Sequence, residues 1–145
     1  MNRSPLQLKH YHFLSLALHA NEDFDPATIA GAEGPYPSFE GIQLEPEVSL
    51  FSNDEDGDCG PYLLRLEMAF MPDENKPFPY GFHLTIEGVF SIEDSSGLDD
   101  CKKTVVINGA SVLYTAAREQ LLTLSSRHVY GPMLLPTLNF RHLAV

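Results

Sequence analysis

At 145 residues the chain has room for one core that folds alone and for little besides, so residues 1–145 are read as a single domain. Twenty acidic residues against nine basic ones give a net charge of −11, which argues against a nucleic-acid partner, because that needs a basic face to neutralise phosphates. No apolar run approaches the roughly 20 residues that span a bilayer, and "MNRSPLQLKHYHF" lacks the unbroken apolar stretch of a secretory leader, so no membrane insertion and a cytoplasmic location are expected.

Residues 8–20, "LKHYHFLSLALHA", are aromatic and aliphatic with partial alternation and read as a long first strand. Residues 21–46 follow without periodicity. A connection of that length is unusual inside a compact domain and is often functional. It holds Phe24, Ile29, Tyr36, Phe39, Ile42 and Leu44, and it is expected to cross the sheet, so that strands one and two need not be neighbours.

Residues 47–52, "EVSLFS", read as a short second strand. In residues 62–70, "YLLRLEMAF", Tyr62, Leu64, Leu66, Met68 and Phe70 fall on one side, and Arg65 and Glu67 on the other. Residues 80–90 repeat that logic, with Phe82, Leu84 and Ile86 against His83, Thr85 and Glu87. A two-residue period with one apolar face predicts an antiparallel sheet that is packed on one side and wet on the other. The acidic, turn-forming "SNDEDGDCGP" and "MPDENKPFP" suit hairpins between strands two and three and between three and four.

After the fourth strand, Ser95 or Ser96 is a possible cap for a short helical segment, and residues 102–107, "KKTVVI", suit helix and extended chain equally. Asn108 then suits an N-cap for a helix from Gly109 to Arg127, roughly 28 Å long at 1.5 Å per residue. Leu113, Ala117, Leu121 and Leu124 make its apolar stripe, Arg127 and His128 suit the negative end of its dipole, and Gly131 and Pro132 end it. The predicted architecture is α+β: a four-stranded antiparallel sheet with a long crossover after strand one and a long C-terminal helix packed on one face.

Residues with catalytic potential do not assemble into a signature. "DEDGD" puts Cys59 and Arg65 where a calcium loop needs Gly and Glu. His10 and His12 share a strand face and are half of a possible metal site, but nothing nearby in sequence completes it, and His19 and His83 could join only through the fold. Cys59 and Cys101, far apart and without a base in context, are expected as a free, reduced pair. No catalytic residue, metal or cofactor is assigned.

What remains is an excess of apolar side chains in residues 21–46 and in "YGPMLLPTLNFRHL", residues 130–143. Either these segments close over the open sheet face and become core, or they border a groove that takes an extended apolar peptide by backbone pairing and shallow pockets.

Several motifs in order resemble the SecB family of export chaperones. They are Ala117–Arg118–Glu119 in the helix, Ser126–Arg127 at its end, and Leu135, Pro136, Asn139 and Phe140 in a proline-spaced terminal segment. "LEPEVSL" at 44–50 and "GVFSI" at 88–92 add to them. The resemblance spans about residues 8 to 143. It implies a homotetramer built as a dimer of dimers, with hydrophobic grooves for unfolded polypeptide clients and no catalytic activity or cofactor. Carried onto this chain, Leu44, Val48 and Phe140 fall in the client groove. Tyr36 and Phe39 join them by character and position. Leu113, Ala117, Leu121 and Leu124 fall to helix packing or subunit contact. The family's second helix and tail, which meet the motor ATPase SecA, find no match here, and Ser15 and His19 stand where acidic residues are usual. The expected functions are therefore a general holdase of the export type, with SecA a doubtful partner, or a dedicated chaperone of an antitoxin in a toxin–antitoxin–chaperone set. A small metal-binding protein using His10, His12 and a cysteine is the reading from a different class.

Overall fold

Alternation along the chain turns directly into a sheet with one dry face. The structure, a computed structural model, describes residues 2–27, 36–52, 61–93 and 100–144. Its strands are β1 (Leu6–Ala20), β2 (Glu47–Ser52), β3 (Tyr62–Phe70) and β4 (Tyr80–Ile92), all paired antiparallel in the order β1-β4-β3-β2. β1 and β2 therefore form opposite margins, and the connection after β1 crosses the whole sheet, as its length predicts. Ile29, "DEDGD", Ser95 and Ser96 lie outside the described residues.

Register sets the composition of each face. Tyr62, Leu64, Leu66, Met68 and Phe70 pair with Phe90, Gly88, Ile86, Leu84 and Phe82, and all the apolar side chains among them are buried. The opposite face carries a polar row in which His12, Glu87 and Arg65 lie directly across from one another. Arg65 donates to Glu87 from Nη2 at 2.6 Å and from Nε at 2.8 Å, while His12 Nε2 lies 3.0 Å from Glu87 Oε1. The Arg65 guanidinium also stands over the Phe51 ring, 5.2 Å from its centroid. Glu87 is buried, and the hydrogen bond from Arg65 holds its carboxyl below the usual range against the opposing effect of burial.

The helical region begins eight residues before the expected Gly109. α1 (Cys101–Thr104) is capped by Asp100, whose carboxylate accepts from Lys103 N at 3.1 Å. A π-helical turn, Val105–Gly109, joins it to α2 (Ala110–Ser125). Val105 is fully buried, so packing on the sheet decides the helical state that "KKTVVI" leaves open. Asn108 lies inside the π turn and caps nothing. Two glycines let the helical layer approach the sheet. A Cβ at Gly88 would stand 2.8 Å from Leu113 Cδ2, and one at Gly109 would stand 2.8 Å from Leu64 Cδ2.

Leu113, Ala117 and Leu121 are completely buried against the sheet. The next position in that row is Ser125, not Leu124. Ser125 is buried, donates from Oγ to Leu122 O at 3.2 Å and accepts from Met133 N at 2.8 Å. Leu124 is half-buried beside the row. Cys101 is disulfide-bonded, which overturns the expectation of two free thiols. The chain's other cysteine, Cys59, lies outside the described residues.

Candidate functional site

Where β1 ends, Asn21 fixes the start of the crossover to the β3–β4 connection. Its backbone N–H donates to Pro79 O at 2.8 Å and its side-chain amide to Phe78 O at 3.0 Å. Its carbonyl accepts from Phe24 N at 3.1 Å and from the Tyr130 hydroxyl at 2.8 Å. Tyr80 extends the bracing: its hydroxyl donates to Gly131 O at 2.7 Å and accepts from Tyr130 N at 3.0 Å. The Phe24 ring meets Tyr130 edge-on at 5.2 Å. Burial pushes the ionisation of the Tyr80 hydroxyl up, so it stays a neutral donor at ordinary pH.

The crossover's second half lies on the same apolar face of the sheet. Phe39 packs on Phe78 with ring centroids 4.5 Å apart, and Phe78 is buried edge-on against Phe70. Phe39, Ile42 and Leu44 are half-buried against the core, as are Val48 and Leu50 on the marginal strand β2. Gly41, at φ +80°, turns the chain between Phe39 and Leu44, and Ile42 N donates to Phe39 O at 3.0 Å. Unlike the fully enclosed side chains under α2, these residues leave part of their apolar surface in water.

A cavity of about 590 Å³ opens between the first half of the crossover and the β3–β4 turn. Asn21, Asp23, Phe24 and Asp25 line one side, and Pro72, Asp73, Glu74 and Pro77 line the other. The turn is held by the Asp73 carboxylate, which accepts from Asn75 N at 2.9 Å and Lys76 N at 2.8 Å. The site is a groove with aromatic and proline walls and a carboxylate rim. That arrangement suits binding more than bond-making. Among the described residues no three His, Cys, Asp or Glu side chains converge to hold a metal ion. The His10 and His12 rings stack 6.0 Å apart, and His12 is paired with Glu87.

The structure thus leaves Phe39, Leu44 and Val48 each half-buried against the core, and Tyr36 is also half-buried in the crossover. Phe140 sits elsewhere, within the terminal segment itself, 4% exposed and edge-on to Tyr114 at 5.7 Å. That segment is tied to α2 by Arg118 Nε donating to Leu135 O at 2.8 Å and by the Tyr114 hydroxyl donating to Pro136 O. The cavity's β3–β4 wall is invisible to periodicity, because Pro72 to Pro77 read only as an acidic turn. The flanking prolines are its one local signal.

No protein-family model matches the chain, and no curated protein matches it by sequence. Solved structures do match. A SecB-like chaperone of Mycobacterium tuberculosis, in complex with a ChAD peptide from the HigA1 antitoxin, superposes with a TM-score of 0.60 at 14% identity, over 92% of this chain and 91% of that one. A protein of unknown function from Streptococcus agalactiae superposes with a TM-score of 0.51 at 15% identity, over 93% and 97% of the two chains.

Proposed function

With a SecB-like fold as the premise, we propose that the chain is a non-enzymatic chaperone that holds extended polypeptide segments along its crossover. The observation that carries the reading is the half-covered apolar surface of Phe39, Leu44 and Val48 on a fold whose neighbour was solved with a bound peptide. Clients contact Tyr36, Phe39, Leu44 and Val48, adding strand-like pairing along the outer edge of β2, which no other strand covers among the described residues. Phe140, buried on Tyr114, contributes only where the terminal segment lifts.

Self-association into a dimer of dimers belongs to the same proposal. Leu113, Ala117 and Leu121 face the chain's own sheet, which leaves Leu124 of that set for a neighbouring copy. The outer margin of β1, unpaired among the described residues and with Tyr11 48% and Leu14 54% exposed, supplies further apolar surface. No helix is long and apolar enough to cross a membrane. The proposed setting is the cytoplasm, with export clients and SecA as the finer reading.

The second reading, a chaperone dedicated to one antitoxin, is favoured by what the Mycobacterium tuberculosis neighbour was solved with. One experiment separates the two. A reduced, unfolded client is diluted from denaturant with and without the chain, without nucleotide, while mass in solution is measured. A general holdase suppresses light scattering at near-stoichiometric ratios. A dedicated chaperone leaves it unchanged but binds one antitoxin-derived peptide tightly. A monomer that does neither overturns both.

A further inference from the structure

Cys101 is disulfide-bonded, and the chain's other cysteine is Cys59, so a bridge within one chain joins these two. Cys101 opens α1, whereas Cys59 stands in the sequence between β2 and β3, just before β3 begins at Tyr62. The helical end of the bridge is a fixed point. Cys101 is buried, the Asp100 carboxylate caps its turn through Lys103 N at 3.1 Å, and its own carbonyl accepts from Val105 N–H. The strand next to the other end is held far less. β2 is six residues long, none of them fully buried, and among the described residues it pairs with β3 alone. Only Val48 and Leu50 reach the core, each half-buried. Packing therefore holds β2 weakly, and the bridge adds a covalent hold on the connection that follows it.

From this placement we infer that the Cys59–Cys101 bridge is a redox-sensitive clamp on the β2–β3 hairpin. Oxidised, it steadies the margin that carries Val48; reduced, it lets that margin fray. The bridge closes a loop over residues 59–101, with all of β3 and β4 inside, and so restricts the unfolded chain. It also leaves fewer residues between Ser52 and the next fixed point, so β2 has less freedom to gain by detaching. Release is thiol–disulfide exchange. The thiolate of a small thiol attacks one sulfur, forms a mixed disulfide and expels the other cysteine as a thiolate, which takes up a proton. A second thiol resolves the mixed disulfide, so two reductant thiols become one disulfide while the bridge becomes two protein thiols. The cytoplasm proposed above contains such thiols, and the clamp then tracks their redox balance, gripping clients best when conditions are oxidising. This consequence rests on the client-binding reading, in which Val48 and the outer edge of β2 are contacts; the clamp itself does not.

The test compares protein oxidised with glutathione disulfide, the same protein reduced with dithiothreitol, and the variant Cys59→Ala, which keeps the buried Cys101 as a thiol. Alkylation under denaturing conditions should add no label to the oxidised form and one label to each of the two cysteines after reduction. In the reduced form and the variant, β2 amides should exchange hydrogen about fivefold faster and the urea midpoint should fall. Affinity for a tagged, extended peptide rich in aromatic and aliphatic residues should drop about threefold in both. Reoxidation should restore the reduced protein but not the variant. Two labels or a glutathione adduct after oxidation, or a bond between two chains, overturns the pairing. Exchange and midpoint unmoved by reduction overturn the clamp, whatever the peptide does. Faster exchange with unchanged peptide affinity overturns its control of client grip. Absence of peptide binding in every form overturns the client-binding reading and leaves exchange to decide the clamp.

Discussion

The seam beneath α2 and the strap formed by the crossover are both made of apolar side chains, yet they differ in how completely they are covered. Leu64, Leu66, Ile86, Leu113 and Leu121 are wholly enclosed between helix and sheet. Phe39, Ile42, Leu44 and Val48 touch the same core but remain half in water. Enclosed surface contributes its full transfer free energy to folding, about 1.5–3 kcal/mol for a large side chain. Half-covered surface contributes less to the fold and leaves the remainder in contact with water. Under the proposed function the same residue types serve cohesion in one place and recognition in the other, and coverage is what separates them.

The largest expected effect tests the seam. Leu113→Ala should cost about 2–5 kcal/mol in denaturant unfolding, since the void it leaves is walled by Gly88, Phe90 and other enclosed groups with little freedom to collapse. A client bound under native conditions should keep nearly its original affinity. An unfolding midpoint unmoved by this change would erase the contrast.

Phe39→Ala should do the reverse. Its stability cost should be about 1 kcal/mol, because the ring is only half-buried. Its affinity for an aromatic-rich peptide should fall about fivefold or more, as expected of an aromatic anchor. Titration calorimetry beside a urea melt measures both. Intact affinity would move Phe39 from the recognition surface to the core.

Two smaller effects depend on pH. Burial pushes the Tyr114 hydroxyl up to about 12 from an ordinary 10.0. Its contribution to stability is complete below pH 10 and is lost as pH rises from there toward 12. Tyr114→Phe should flatten that alkaline limb in pH-dependent melts, at the cost of the hydrogen bond to Pro136 O. Glu87 works with the opposite sign. Its carboxyl is held below the ordinary 4.5, chiefly by the Arg65 hydrogen bond, so its contribution is present above pH 4.5 and is lost as pH falls below it. Glu87→Gln should reduce the acid sensitivity of the melt. An unchanged acid limb would mean that the Arg65–Glu87–His12 row does not hold the outer face.

How much of this is legible without coordinates follows from the range of each interaction. The alternation of Tyr62 to Phe70 is a local property, and β2 and β3 lie where the pattern places them. β1 and β4 extend two residues further, to Leu6 and Ile92, which pair with each other at the sheet's end. The helical stripe is legible at Leu113, Ala117 and Leu121. It fails at Leu124, because the next enclosed place went to a serine whose hydroxyl is satisfied by Leu122 O and Met133 N. A polar residue in an apolar row looks like an end to the row until its partners are known.

The candidate site divides in the same way. The composition of residues 36–48 marks apolar surface in the crossover. The opposing wall at Pro72 to Pro77 is set by contacts between segments far apart in the chain.

Sequence alone determined the α+β class, the strand pattern and the surplus of apolar side chains outside it, because side-chain period and composition act over a few residues. Tertiary structure decided that "KKTVVI" became helical, that Cys101 is bonded, and that the carboxylates of the crossover and of the β3–β4 turn share one cavity. Those outcomes depend on which distant groups meet, and no local window contains that information.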